Sequence, residues 1–214
     1  MATATQPQPA EPTPIPRPTV GPERHGLAMA YEEFIEADFQ EGWIYELARG
    51  IVIATQVPGI RHGQIVYHVS KLFVLYDLAH PGVINYQAGR AECRLQIEGT
   101  KSDRRPDRAI YLRPYPKGPD LWARWMPEIV VEVINVGGED RDYVLKREEY
   151  LVAGIREYWI LDRTARRLMV LVNLGRSWQQ TLIGEDGTYQ TELLPGLEVR
   201  VGELLGPPVQ TEDE

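Results

Sequence analysis

The sequence predicts a mixed α/β domain in which a central sheet is flanked by helices and followed by antiparallel hairpins. Residues 128–134 form an almost unbroken run of β-branched side chains, which is typical of a central strand covered on both faces. A helical pattern over residues 140–153, closed by Gly154, and a strand pattern over residues 157–161 come next. This order of strand, helix and strand implies a crossover connection and a parallel pair of strands.

The other elements surround this unit. Helices are expected over residues 31–39 and 62–78, where apolar side chains recur at helical spacing. Strand patterns precede the central strand at residues 44–47, 50–56, 83–97 and 107–112. After the parallel pair, turn residues at Gly175 and at Asp186-Gly187 predict hairpins built from residues 168–174, 178–183 and 189–193.

Length and composition favour one folded domain with two tails. A chain of 214 residues can build one sizeable core, whereas two domains would each be small. Residues 1–26 are dominated by Pro, Thr, Gln and Ala, a composition that favours an extended tail. Residues 206–214 combine prolines with acidic residues in a similar way. The folded domain is therefore expected to span residues 27–205.

Composition also bounds the location and the partners. The single cysteine, Cys93, excludes an internal disulfide and favours a reducing compartment. With no apolar run near the length of a membrane span and no signal-peptide pattern, a cytoplasmic protein is expected. A net charge of −8 disfavours a protein that simply coats nucleic acid, but local basic patches or a metal ion can offset it. The candidate DNA contacts are Arg61, Arg104, Arg105 and Arg108, each of which is equally well a solvated surface charge.

Two charged side chains break the local patterns. Glu132 stands in the middle of the central strand, where an unpartnered carboxylate would cost several kcal/mol. Lys146 lies near the centre of one face of the following helix, so it is expected to point toward the sheet and to meet Glu132. The members of that face are Glu139, Tyr143, Lys146, Tyr150 and Ala153.

Asp107, directly after Pro106, opens a strand and supplies a third group. With Glu132 on a neighbouring strand it would offer oxygen ligands to a hard divalent cation, and the Val133 carbonyl would complete the inner shell. Structural interpretations stand beside this one, since an aspartate after proline is usually a turn residue and Glu132 with Lys146 are as readily a buried ion pair. The triple is more specific than its members, because metal-assisted phosphate hydrolysis requires this set.

Several strings carry a family resemblance, in order from Tyr31 to Asp162. They are Tyr45-Glu46-Leu47 with Gly50, His62, Arg105-Pro106-Asp107, residues 127–133, Asp142 with Lys146 and Tyr150, and Gly154 with residues 157–162. In these strings the chain resembles the Uma-two family of proposed restriction endonucleases, within the PD-(D/E)XK nuclease superfamily. The resemblance implies a restriction-endonuclease-like fold and cleavage of DNA with Mg²⁺ or Mn²⁺.

The resemblance also implies roles for individual residues. Asp107 would be the aspartate of the PD element, Glu132 the acid of the (D/E)XK element, and Lys146 a lysine that has moved to the helix from position 134, where this chain has Ile134. Glu46 matches the early acidic residue of the family and would add a metal or water contact. Further matches without a firm role are His62, Asp142, Tyr150 and Asp162. Asn135 departs from the pattern, because the family often has serine there.

The resulting hypothesis is a DNA endonuclease in which Asp107 and Glu132 hold Mg²⁺ and Lys146 assists the attacking water. Alanine at Asp107 or Lys146 is expected to abolish cleavage and leave the fold intact. Two alternatives stay open: a degenerate DNA-binding or scaffolding module in which Glu132 and Lys146 form only an ion pair, and a metal hydrolase acting on another phosphodiester. A homodimer is expected, since two copies related by a two-fold axis cut both strands most simply.

Overall fold

A computed structural model describes residues 17–134 and 141–208 of the chain. The strands are β1 (Thr19–Val20), β2 (Asp38–Phe39), β3 (Trp43–Ala48), β4 (Ile51–Gln56), β5 (Tyr86–Ala88), β6 (Leu95–Ile97), β7 (Ser102–Arg104), β8 (Arg108–Tyr111), β9 (Ile129–Val133), β10 (Glu157–Asp162), β11 (Arg167–Asn173), β12 (Trp178–Gly184), β13 (Thr188–Gln190) and β14 (Glu198–Arg200). The helices are α1 (Tyr31–Ile35), α2 (Ile60–Ala79), α3 (Leu121–Arg124), α4 (Lys146–Val152) and α5 (Val201–Leu205), and a π-helical turn, Arg141–Leu145, leads directly into α4. Within these two ranges, no helix is both long enough and apolar enough to cross a membrane.

A six-stranded sheet forms the centre, in the order β12-β11-β10-β9-β8-β5. Strands β9 and β10 run parallel, with Glu157 opposite Ile129, and the other neighbouring pairs are antiparallel. The predicted mixed sheet, parallel pair and C-terminal antiparallel hairpins are therefore confirmed, but the second hairpin joins β13 to β14, and β13 does not pair with β12 across the turn predicted at Asp186-Gly187. The segment between β9 and the π-helical turn, which includes Asn135 and Glu139, lies outside the described residues.

Both faces of this sheet are covered, which explains the apolar composition of β9. Its odd-numbered residues pack with Phe73 of α2 in one core cluster. Val130, which is even-numbered, packs with Tyr150 of α4 in a second cluster. Since side chains alternate along a strand, Glu132 points to the same face as Val130. The strand therefore directs Glu132 toward the helix that begins with Lys146.

A second sheet has the strand order β4-β3-β7-β6. Its hairpin β3–β4 turns at Arg49 and Gly50, whose φ angles are +51° and +81°, as tight two-residue hairpins favour. The chain leaves this sheet at the end of β7 and enters the central sheet at Arg108. The link of residues 105–107 therefore holds Asp107 where the two sheets meet.

The N-terminal region differs from the sequence expectation. Residues 38–39, expected to continue the first helix, instead form β2 and pair in parallel with β1. The pairing supplies hydrogen bonds that a longer helix would have made internally, including Asp38 N–H to the Pro18 carbonyl at 2.9 Å. An extended tail is expected up to residue 26, yet within residues 17–26 Val20 is completely buried in a cluster with Phe34.

The C-terminal region contains two elements that the patterns do not predict. Strand β14 pairs with β13, and α5 follows it directly. Leu204 and Leu205 of α5 join the cluster that holds Phe73 of α2. Five residues are too few to display helical periodicity, so α5 is recognisable only from its packing.

Candidate active site

Four titratable side chains from different elements meet at the junction of the two sheets. Glu46 comes from β3, Asp107 from the link before β8, Glu132 from β9 and Lys146 from the start of α4. Their exposed fractions are 4%, 2%, 1% and 0%. Charges this deeply buried must be balanced by neighbours, because water cannot solvate them.

The two carboxylate oxygens of Glu132 have different surroundings. Oε1 accepts hydrogen bonds from Lys146 Nζ and from the Tyr150 hydroxyl, both at 2.7 Å. Oε2 is buried and accepts no hydrogen bond from the part of the chain that the structure describes. Arg90 Nη2 lies 4.0 Å from this oxygen. A buried carboxylate oxygen without a donor is costly, so Oε2 marks a position where a further cation would be stabilised.

Asp107 approaches the same arginine. Its Oδ1 accepts a hydrogen bond from Arg90 Nε at 2.6 Å and lies 2.9 Å from His62 Nε2. Its Oδ2 accepts the backbone N–H of Val133 at 2.8 Å. Burial by itself would raise the pKa of Asp107, but the His62 hydrogen bond and the Arg90 charge hold that pKa below its usual range. Asp107 is thus a stable carboxylate facing Arg90.

Lys146 is surrounded by three carboxylates. Its Nζ lies 2.7 Å from Glu132 Oε1, 3.1 Å from Asp142 Oδ1 and 3.8 Å from Glu46 Oε1. Burial alone would lower the pKa of Lys146, but the three acids raise it, so the ammonium is charged at neutral pH. One ammonium cannot balance three acids. Burial, together with the charges of Asp107 and Asp142, therefore raises the pKa of Glu132 to about 7 in spite of Lys146.

Glu46 is held by an arginine network behind the site. Arg104 Nε donates to Glu149 at 2.6 Å and Arg104 Nη1 to Glu46 at 3.4 Å. The backbone N–H of Arg105 also donates to Glu46, at 2.9 Å. Burial opposes ionisation of Glu46, yet Lys146 and Arg104 lower its pKa to about 2. Arg104 is completely buried, which corrects its assignment as a DNA contact, because its guanidinium is an internal counter-charge.

The supporting residues matched by the family pattern fall into two groups. His62, Asp142 and Tyr150 each contact one of the central residues, as described above. Asp162 makes different contacts. It accepts hydrogen bonds from the Tyr143 hydroxyl at 2.7 Å and from the Ala165 backbone N–H at 2.8 Å. The Ala165 bond closes the turn after β10, and the Tyr143 bond links this turn to the π-helical turn Arg141–Leu145.

The other predicted DNA contacts lie near the surface. Arg105 and Arg108 are half-buried on either side of Asp107. The Arg105 guanidinium lies 5.9 Å from the centroid of the Phe39 ring, and Arg108 Nε donates to Ser70 Oγ at 2.6 Å. Arg61 is half-buried on the first turn of α2.

Arg90 is the site residue that sequence reasoning missed. It lies in the turn between β5 and β6, where the Gly89 N–H donates to Glu92 Oε2 at 2.8 Å. A single arginine in a turn breaks no periodic pattern and usually lies in solvent. The available signal was indirect: two buried acids at Asp107 and Glu132 require more positive charge than Lys146 supplies.

Comparison with known proteins assigns the family. The Uma2 family model, described as "Putative restriction endonuclease", matches residues 31–202. The chain belongs to the Uma2 family. Among solved structures it is similar to a "putative nuclease belonging to DUF820" from Anabaena variabilis, with a TM-score of 0.67 and 14% identity over 83% of this chain and 97% of that one. At this identity the likeness concerns the fold, and it confirms the restriction-endonuclease-like class. No curated protein matches the chain.

Resemblance to the Uma2 family implies a bound divalent cation. The side chains of the site can therefore be compared with those that ligate such a cation. Across residues 17–134 and 141–208, no group of three or more His, Cys, Asp or Glu side chains is arranged to hold a metal ion. However, Asp107 and Glu132 both face one cation, Arg90, and Glu132 Oε2 has no donor there. Carboxylate oxygens are the ligands that Mg²⁺ and Mn²⁺ prefer. The chemistry of the donors therefore fits a divalent cation in the position that Arg90 shares with the two acids.

Proposed function

We propose that this Uma2 protein is an endonuclease that hydrolyses DNA phosphodiester bonds with Mg²⁺ or Mn²⁺ held by Asp107, Glu132 and the Val133 carbonyl. The observation that carries the proposal is the convergence of two buried acids on one cation, beside a carboxylate oxygen that lacks a donor. The family description and the similarity to the "putative nuclease" from Anabaena variabilis point to the same class of reaction. The single buried cysteine, Cys93, agrees with a cytoplasmic location.

Each residue of the site would have a separate role in this reaction. A bound divalent cation supplies Lewis-acid polarisation of the phosphate and a more acidic water. Lys146 acts through its charge, because a lysine with a raised pKa donates hydrogen bonds and does not accept a proton at neutral pH. Glu46, 3.8 Å from Lys146 Nζ, helps to orient that ammonium toward the water. Tyr150 orients Glu132 from the same side.

DNA would approach through two clefts that Arg90 lines, one of which also contains Asp107. One cleft of about 350 Å³ is lined by Arg105 and Arg90, and another of about 340 Å³ is lined by Arg108, His62 and Asp107. We assign Arg105 and Arg108 to phosphate contacts and Arg61, on the helix that carries His62, to a more distant one. Such local positive charge is needed because the whole chain carries a net charge of −8.

The proposal is tested by incubating the protein with supercoiled, linear and single-stranded DNA in the presence of Mg²⁺, Mn²⁺ or EDTA. Cleavage is expected with the metals and not with EDTA. Asp107→Asn, which preserves shape and removes the charge, should reduce the cleavage rate at least about hundredfold. Asp103→Asn is the matched control, since Asp103 is also completely buried and pairs with an arginine, Arg94, at 2.7 Å. Equal cleavage by Asp107→Asn and wild type would refute the assignment.

A second candidate is a scaffolding or DNA-binding module without catalysis. The observation that favours it is the Arg90 guanidinium, which already provides positive charge to Asp107 and Glu132. Isothermal titration with Mn²⁺ separates the two candidates. A nuclease should bind Mn²⁺ in a manner that Asp107→Asn abolishes, whereas a scaffold should show no Asp107-dependent binding.

We also propose that the protein works as a homodimer and that α2 forms the contact. Ile60, Tyr67, Val74 and Leu78 are 78%, 63%, 46% and 76% exposed. Their spacing places them along one side of α2, and a line of exposed apolar residues on a helix is typical of an interface. Light scattering should report a dimer for wild type and a monomer for Tyr67→Glu. Leu174→Glu, at an apolar residue that is 64% exposed outside this helix, should remain dimeric.

A further inference from the structure

Arg90 occupies the place where the two candidate metal ligands converge. Its Nε lies 2.6 Å from Asp107 Oδ1, and its Nη2 lies 4.0 Å from Glu132 Oε2. The side chain is only 16% exposed, so the guanidinium is largely removed from water. Positive charge buried between two acids is what a divalent cation would provide at the same position.

The opposite side of Glu132 is already occupied by other groups. Lys146 and Tyr150 both donate to Oε1, each at 2.7 Å. Glu132 Oε2 has Arg90 Nη2 at 4.0 Å and accepts no hydrogen bond within the described residues. Arg90 therefore donates a hydrogen bond to Asp107 but not to Glu132, and Glu132 Oε2 stays available to another cation.

Arg90 also has space into which it can move. Its backbone is fixed, because the Arg105 guanidinium donates to the Arg90 carbonyl at 3.3 Å and the neighbouring turn is closed by Glu92. Its side chain lines both clefts described above, of about 350 and 340 Å³. The acids, in contrast, are held by strand β9 and by the Val133 N–H. When a cation competes for the acids, the arginine is the group that can leave.

We infer that Arg90 is an internal substitute for the metal: its guanidinium holds Asp107 and Glu132 together in the metal-free protein and must leave them before a divalent cation binds. This inference rests on the proposed function, because it assumes that these two acids are metal ligands. Arg90 is accordingly a positioning residue that sets the affinity for metal. It keeps Asp107 and Glu132 from repelling one another while the site is without metal.

Isothermal titration with Mn²⁺ tests the inference on three proteins: wild type, Arg90→Gln and, as the matched control, Arg94→Gln, whose arginine is 19% exposed and pairs with the buried Asp103 at 2.7 Å. Removing the competing charge should increase the Mn²⁺ affinity of Arg90→Gln at least about tenfold, whereas Arg94→Gln should stay within about threefold of wild type. In metal-free buffer Arg90→Gln should melt at a lower temperature than wild type, and Mn²⁺ should raise its melting temperature by more. An unchanged or weaker Mn²⁺ affinity in Arg90→Gln would overturn the inference.

Adding free guanidinium to a variant that lacks the Arg90 side chain is a second test, specific to this position. In Arg90→Ala, free guanidinium at millimolar concentration should compete with Mn²⁺ and weaken its binding, while wild type should be unaffected. If neither variant folds, the Arg90 Nε–H resonance of wild type decides: it should be protected from exchange without metal and lose that protection with Mg²⁺. Persistent protection in saturating Mg²⁺ would overturn the inference and leave the proposed function standing. Absence of Asp107-dependent Mn²⁺ binding in every protein would overturn both.

Discussion

Replacing Lys146 with methionine is expected to lower the free energy of unfolding by about 4 kcal/mol. The side chain is completely buried, and its ammonium lies 2.7 Å from Glu132 and 3.1 Å from Asp142. Removing one partner of a buried ion pair costs about 3–5 kcal/mol, because the other charge remains buried without compensation. Here two carboxylates lose the same partner, but Glu132, with a pKa of about 7, can lose its charge by binding a proton, so we expect a value in the middle of that range.

Urea unfolding in EDTA, followed by circular dichroism, measures this loss without interference from metal. Lys71→Met is the matched control, since Lys71 is exposed on α2 and its loss should cost less than about 0.5 kcal/mol. In a Glu132→Gln background the Lys146→Met change should cost at least about 1 kcal/mol less, because one of the two uncompensated charges is gone. A loss below about 1 kcal/mol in wild type, or strict additivity with Glu132→Gln, would refute the three-acid arrangement around Lys146.

Loss of stability in Lys146 variants affects how their role in catalysis can be tested. From the sequence, alanine at Lys146 is expected to abolish cleavage and leave the fold intact. Complete burial predicts a destabilised fold instead, since a loss of several kcal/mol is a large share of a typical domain stability of about 5–15 kcal/mol. Loss of cleavage in a Lys146 variant therefore supports a role in catalysis only where circular dichroism shows that the variant is folded. The same control applies to Asp107→Asn, because Asp107 is also buried and paired with Arg90.

Three further predictions concern acid stability, thiol reactivity and the core. Because the pKa of Glu46 is lowered to about 2, its contribution is present above its unfolded pKa and is lost as pH falls toward 2. Wild type should therefore lose up to about 3 kcal/mol more than Glu46→Gln between pH 4.5 and pH 2 in urea titrations. Burial raises the pKa of Cys93 to about 12, so iodoacetamide at pH 8 should label it only after unfolding; rapid labelling of the native protein would contradict its burial. Phe73→Ala should cost about 3–5 kcal/mol, since Phe73 is completely buried and stacks on Trp159 at 5.6 Å, whereas Leu174→Ala, at a side chain that is 64% exposed, should cost less than about 0.5 kcal/mol.

Elements with strong periodicity were predictable from the sequence, and those that depend on distant partners were not. Strand β9 and helix α2 follow from their own side chains, because each must bury a defined set of apolar residues. Strand β2 does not, since it forms only because β1 is present to pair with it. The burial of individual arginines also depends on distant partners. Arg104 and Arg105 are adjacent in sequence, yet the first is completely buried against Glu149 and the second lies beside Phe39 near the surface.

The choice between a buried ion pair and a metal ligand, which the sequence leaves open for Glu132, is not exclusive in the structure. The two interpretations concern different oxygens of one carboxylate. Oε1 is paired with Lys146 and Tyr150, and Oε2 faces Arg90 without a hydrogen bond. A sequence pattern assigns one role to one residue, so it cannot describe a carboxylate that balances an ammonium with one oxygen and, in the proposed function, offers the other oxygen to a metal. Because the two roles involve different oxygens, one substitution near Glu132 should remove the Lys146 ion pair and a different one should change the affinity for metal.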